Sequence, residues 1–526
     1  MCFFYFSISI FYLIVFYLVP IWGEFTDSRP ILKFLSVFLF SLSVWSTWNG
    51  FKNKTIVVLQ NPTSNPKFFK EITFTICILL FFSYSYLFKL FEHLNSFFLV
   101  DYDYIGLAEI LNNSLLGFPF RTHHYGPEVY GNYLPHHFSP SIIILSPFLL
   151  LSETRLGYAY GLLFFIILTF VLFAFLLIKK NIRGNLFLFS MILFASNIYL
   201  NRLFFSYHFE LLTVFFFLLF FLGKEINKFS ISIVAFLFLL LLKEDISIYL
   251  TCLGVYFLIQ KDWKYGVCLI VIPIIYFLFV PSFFRSFIDK SAFIDWLHYW
   301  DKWGVSYLEI ATNLVMHPIE VLQIFFSKWK VFRDFLLSFS PVVLLSPSYL
   351  LITLPIFLLH FLSDRIWYNT LYNYYAYSVI SFFVLNILFS IPKLENFKEG
   401  KYSLPAMILC VSISIYSGSG DKLFPYSKMN TDIDRVNALN NVLNDLPKAK
   451  TIATQFDMGG FIPRANPVYP LHEKNLDKDY LLIDVNRGIT PYIERSRIQE
   501  MVGRILEKKT YSLIKENSGI QLYKKN

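Results

Sequence analysis

Charge is what this chain has least of. Asp, Glu, Lys and Arg make up 15% of its 526 residues and hydrophobic residues 56%, where a soluble domain carries roughly 25% charged residues. That shortfall excludes an ordinary soluble protein. Cysteine is scarce too: Cys2, Cys77, Cys252, Cys268 and Cys410 all fall in apolar segments without CxxC spacing, which argues against disulfides and zinc sites. No internal repeat is visible. No RNA-recognition motif or basic helix accompanies the formal charge of +9, so nucleic acid is not an expected partner. The 63 Phe fit an AT-rich genome as well as any chemistry and carry no functional weight.

What is present is a series of apolar runs long enough to span a bilayer, so the fold class is an all-α polytopic membrane protein. About thirteen spans are expected. The first, Met1 to Trp22, has no charged n-region and no small-residue cleavage site, and reads as a retained span. Others are expected near Ile31–Trp48, Ile72–Leu90, Leu156–Ile178, Leu186–Leu200, Phe209–Leu222, Ile231–Leu242, Ile246–Ile259, Tyr265–Pro281, Phe335–Leu345, Tyr349–Leu362, Tyr375–Ile391 and Tyr402–Tyr416. Pro140–Leu151 is too short to cross and is expected to lie along the interface. Long loops are expected over 91–139 and 282–333.

Lys52/Lys54/Lys67/Lys70, Lys179/Lys180/Arg183, Lys224/Lys228, Lys261/Lys264 and Lys393/Lys398/Lys401 fall in alternate short connections, the signature of a cytoplasmic side. Both long loops are then extracytoplasmic, and so is the tail. The expected organisation is 1–71, two extra N-terminal spans with a cytoplasmic loop; 72–420, the transmembrane core; and 421–526, a small α/β domain outside. The tail's pattern predicts helices over Asp434–Leu446 and Ile493–Glu507, and strands over Thr451–Thr454, Tyr480–Val485 and near Ser512–Leu522. It has no Gly-rich phosphate loop and no nucleophile motif, and reads as a lid or acceptor-binding module.

The polar residues that interrupt the apolar sequence all fall on the outer side of this threading. Ionisable groups at span ends are costly, so a one-sided set points to function. Asp101-Tyr-Asp103 opens the first long loop, where it caps a helix over Tyr104–Leu115, or supplies a general base, or ligates a divalent metal such as Mg or Mn. His136-His137 closes the same loop, as interface anchors or as a phosphate or sugar contact. His208 and Glu210 begin one span. Lys243-Glu244-Asp245 stands between two apolar runs with almost no room for a solvated loop. It is either a water-facing hairpin or a site where Lys243 meets a phosphate oxygen and an acidic neighbour orients it. Arg365 and the tyrosines from Tyr368 to Tyr377, Tyr374 among them, mark a further junction. They serve as an aromatic belt or, through Arg365, in phosphate recognition.

Asp103 with a helix ending at Gly117, then His137-Phe-Ser-Pro140, His208-Phe-Glu210 and Lys243-Glu-Asp245, in that order between spans, resembles an uncharacterised family of bacterial and archaeal predicted membrane proteins, domain of unknown function 2079. That family is similar in layout to GT-C glycosyltransferases, which use polyprenyl-phosphate-linked sugars. The resemblance covers about Ile72 to Leu388 and extends to the tail; the two spans before Ile72 look like an addition. It implies an acidic residue in the first outer loop, best matched by Asp103 and less well by Asp101. It also implies an outer-leaflet cavity, a periplasmic C-terminal domain and an inner-membrane location. The implied partners are the bilayer, a polyprenyl-phosphate-sugar donor and a lipid, glycan or protein acceptor. Two other classes remain open: a transporter or lipid flippase, which predicts broken helices, and a scaffold for envelope assembly.

Overall fold

In hydrocarbon only bonds within a segment satisfy the backbone, so apolar runs become helices. The computed structural model describes residues 66–97, 102–124, 131–288, 296–397, 403–418, 431–486 and 495–526. The two spans expected before residue 50, and Asp101, lie outside the described residues. Four described helices are long and apolar enough to cross a bilayer: Lys70–Asn95, Gly157–Lys179, Trp263–Phe283 and Tyr374–Leu394. Two bent pairs raise the number to six if each is one span. Pro140–Leu151, Phe229–Leu240, Ile246–Ile259 and Pro347–Phe361 are shorter apolar helices.

Three stretches differ from the sequence expectation. The run 186–200 is broken by 56° between Asn185–Ser196 and Ile198–Phe204. Asn197 between them is extended, and its side chain accepts from Leu200 N at 2.8 Å, an internal cap that restarts the helix. Its Nδ2 donates to Ser338 O at 2.9 Å. The run 335–345 is also two pieces, because Pro341 cannot continue the helix Trp329–Ser338. Much of 282–333 is helical: Tyr307–Met316 and Pro318–Ser327 meet at 90°, with His317 kept out of helical geometry by Pro318.

The chain divides into two compact units. The described residues of the first, 66–85, 162–283, 296–397 and 403–418, form a helical bundle with an aromatic interior. Phe82 packs on Phe170 and Phe205 with ring centroids 5.0 and 5.4 Å away, and Phe335 meets Phe383 edge-on at 5.1 Å. Small residues let helices close up: a Cβ on Gly223 would stand 2.5 Å from Ser232 Oγ. The Lys/Arg-bearing connections join one another through Lys180–Glu225 at 2.6 Å, Arg183–Glu71 at 3.0 Å and Lys224–Asp262.

The second unit holds 86–161, 284–293 and 428–526. It contains the helix Tyr102–Leu115 and a short antiparallel pair, β1 (Arg121–Thr122) and β2 (Gly131–Asn132). It also contains a mixed sheet of β3 (Ile452–Thr454), β4 (Val468–Pro470), β5 (Tyr480–Asp484), β6 (Tyr511–Asn517) and β7 (Ile520–Lys525), ordered β4-β3-β5-β7-β6. β3 runs parallel to β4 and β5, and β7 antiparallel to β5 and β6. Side chains alternate across β5: Leu481 and Ile483 join Ile498, Met501 and Ile505 of the helix Arg495–Glu507 in one core. On the other side Asp484 takes Arg435 of the helix Ile433–Leu443.

Candidate functional site

In the bundle unit, three inter-helix junctions meet. Tyr207, just before His208, is held at φ 58°, and Leu371 in the 362–376 junction at φ 54°. Such left-handed non-glycine residues each cost of order 1–3 kcal/mol and cluster at functional sites. His208 stacks on Tyr374 with centroids 3.6 Å apart, and its Nδ1 lies 3.7 Å from Glu210 Oε2. Glu210 Oε1 accepts from Lys243 Nζ at 2.9 Å, so the lysine's charge is already matched within the protein. The ammonium also faces the rings of Tyr377 and Tyr374 at 5.3 and 6.0 Å.

Asp245 extends this cluster. Its Oδ2 accepts from Tyr249 Oη at 3.0 Å and from the Tyr377 hydroxyl. The Tyr249 and Tyr368 hydroxyls are 3.3 Å apart. With Tyr249 donating to Asp245, Tyr368 must donate to Tyr249. His360 stacks on Tyr368 at 4.0 Å and reaches Ser378 Oγ at 3.0 Å. Arg365 lies over Tyr299 and Tyr375, 4.8 and 5.3 Å away, and donates to the Tyr299 hydroxyl. Tyr375 stacks on Tyr374 at 4.3 Å. The structure thus brings together His208, Glu210, Lys243, Asp245 and Tyr374, with Arg365 joined through stacked tyrosines. Glu244 is half-buried beside them.

Asp103, His136 and His137 belong to the other unit. Asp103 is half-buried in the first turn of Tyr102–Leu115. His136 and His137 meet edge-on at 4.9 Å. Among the described residues no group of three or more His, Cys, Asp or Glu could hold a metal ion.

That unit is held by a pair the sequence reading did not single out. Arg155 and Glu109 are both 0% exposed. Arg155 Nε and Nη2 donate to Glu109 Oε2 at 3.0 and 2.6 Å. Nη1 and Nη2 also donate to the carbonyls of Ile462 and Asn466 at 3.1 and 2.8 Å. Arg435 is a second centre, pairing with Asp484 at 2.6 Å and Asp457 at 3.1 Å under the ring of Phe97. The signal for the first pair was a lone Glu and a lone Arg beside apolar runs, each needing a partner.

Two histidines of this unit carry a pH dependence. Burial, then His123 and Arg155, push His124 down to about 3. Burial, then Arg121 and Lys478, push His123 down to about 4; its ring stacks on Tyr469 at 4.2 Å. Both values lie below the ordinary 6.5, so the unfolded chain binds more protons at mildly acid pH. Stability is full above pH 6.5 and falls as pH drops toward 4, by about 2 kcal/mol at pH 5 for His124. Thermal unfolding at pH 7 and pH 5 should show this loss, and His124→Leu should flatten it; an equal slope in the variant rules it out.

Residues 93–522 match the family model described as Predicted membrane protein (DUF2079). No curated protein and no solved structure matches the chain.

Proposed function

We propose, for a chain that belongs to the predicted membrane protein family DUF2079, that it is a membrane glycosyltransferase of GT-C type. It would move a sugar from a polyprenyl-phosphate donor to a lipid, glycan or protein acceptor on the periplasmic face of the inner membrane. The observation that carries this reading is the cluster of buried Glu210 and Lys243 with half-buried Asp245 and four tyrosines, built at three helix junctions of an apolar bundle. Such groups are expensive there and call for a functional reason. Chemically the transfer needs a base for the acceptor hydroxyl, assigned to Asp103, and a cation for the departing lipid phosphate, assigned to Arg365.

The proposal keeps about thirteen spans, with both N-terminal ones retained and 421–526 outside. Alkaline phosphatase fused at Asp421 should be active and at Asn65 inactive; a cytosolic signal at Asp421 would reverse the assignment of sides. The test of function is mass spectrometry of envelope glycolipids and glycans with and without the gene. One sugar should disappear; an unchanged profile would sink the reading. A second reading, a transporter or lipid flippase, is favoured by the helix broken at Asn197, because discontinuous helices mark transport sites. Purified protein in liposomes would then move a labelled lipid between leaflets without forming a glycosidic bond.

A further inference from the structure

The bundle cluster offers more hydrogen-bond acceptors than its own donors fill. Glu210 is 3% exposed. Lys243 occupies its Oε1, while its Oε2 is buried without a hydrogen-bond partner among the described residues. His208 Nδ1, at 3.7 Å, is beyond hydrogen-bond reach. Asp245 repeats the pattern: two tyrosine hydroxyls meet Oδ2, and Oδ1 is buried without a hydrogen-bond partner. Two carboxylates, Glu210 and Asp245, stand here beside one ammonium, Lys243. A phosphate brought to this place would meet lone pairs and like charge. A hydroxyl would meet acceptors that are costly to leave unfilled.

The aromatic neighbours point the same way. The rings of Tyr374 and Tyr377 flank Lys243, and ligand sites pair such apolar faces with a few placed polar groups. We infer that this cluster recognises neighbouring hydroxyl groups of a sugar ring, with Glu210 Oε2 and Asp245 Oδ1 as acceptors, and that lipid phosphate is not bound at Lys243. This rests on the sugar-transfer reading and assigns its sugar to the cluster. Lys243 acts as a positioning residue: its bond to Oε1 fixes the Glu210 carboxylate so that Oε2 is presented.

The test uses the full chain in lipid nanodiscs. The probes are methyl glycosides of common hexoses and pentoses, inorganic phosphate and geranyl phosphate, read by saturation-transfer NMR. At least one glycoside should bind, and neither phosphate nor geranyl phosphate should displace it. Asp245→Asn should weaken it at least tenfold, and a deoxy analogue lacking one contacted hydroxyl should bind the wild type at least tenfold more weakly. Competition by phosphate that disappears in Lys243→Met would overturn the inference, as would silence of the whole panel. Competition in the wild type decides the matter even where a variant fails to fold. A sugar missing from the envelope without glycoside binding would remove this inference alone. Glycoside binding with an unchanged envelope would remove the transferase reading alone.

Discussion

Arg155→Met is expected to destabilise the unit formed by 86–161 and 428–526 by about 3–5 kcal/mol, the usual cost of removing one partner from a buried ion pair. The cost has two parts. Glu109, fully buried, would keep a carboxylate facing no cation. The carbonyls of Ile462 and Asn466, which Arg155 now satisfies, would lose their donor. Arg155→Lys should recover little, because one ammonium cannot reproduce the fork that reaches a carboxylate and two carbonyls together. Arg155→Met with Glu109→Leu should restore part of the loss, since replacing a buried pair as a whole is often near neutral. Thermal midpoints of the purified protein, with limited proteolysis of the tail, read the effect. A tail as protease-resistant in Arg155→Met as in the wild type would show that the pair is dispensable.

On the proposed sugar-transfer reading, Asp103→Asn is expected to lower activity by about a hundredfold to ten-thousandfold, the range for loss of a general base. Each factor of ten is about 1.4 kcal/mol of barrier. Asparagine keeps the size of the side chain and suits the first turn of Tyr102–Leu115, where a polar oxygen is favoured. A folding defect is therefore not the expected route to lost activity. Asp101→Asn should cost much less. If both substitutions cost alike and activity falls with a chelator, the two carboxylates hold a metal and neither is a simple base. Full activity in a folded Asp103→Asn protein would remove the base from the mechanism.

The bundle was legible wherever local pattern decides structure. Ile246–Ile259 has the expected bounds, and Gly157–Lys179 and Phe229–Leu240 lie within two residues of theirs, because apolar runs between charged connections leave one solution. In the tail, the strands Ile452–Thr454 and Tyr480–Asp484 follow short buried apolar runs. Val468–Pro470 was not legible: three residues ending in proline carry almost no strand signal, and β4 exists because β3 offers it an edge. The break at Asn197 was hidden because one asparagine in an apolar run changes hydropathy little. At the site, the junction residues His208, Glu210, Lys243 and Asp245 stood out as polar interruptions. Their partners Tyr249 and His360 did not, since a tyrosine or histidine inside a span reads as packing.

Arg155 and the two carbonyls it serves are separated by 307 and 311 positions, and that separation has a cost in time. At about 5–20 residues per second, the ribosome needs roughly 15–60 s between making the guanidinium and making the oxygens that complete its shell. Throughout that interval the Tyr102–Leu115 helix and its pair with Arg155 lack their final neighbours. Contacts so distant in sequence form late. A chain stopped between Ser427 and Ile462 would carry the bundle unit and still leave Arg155, the most buried arginine among the described residues, half served. The buried guanidinium therefore ties the stability of the Tyr102–Leu115 helix to residues made long after it.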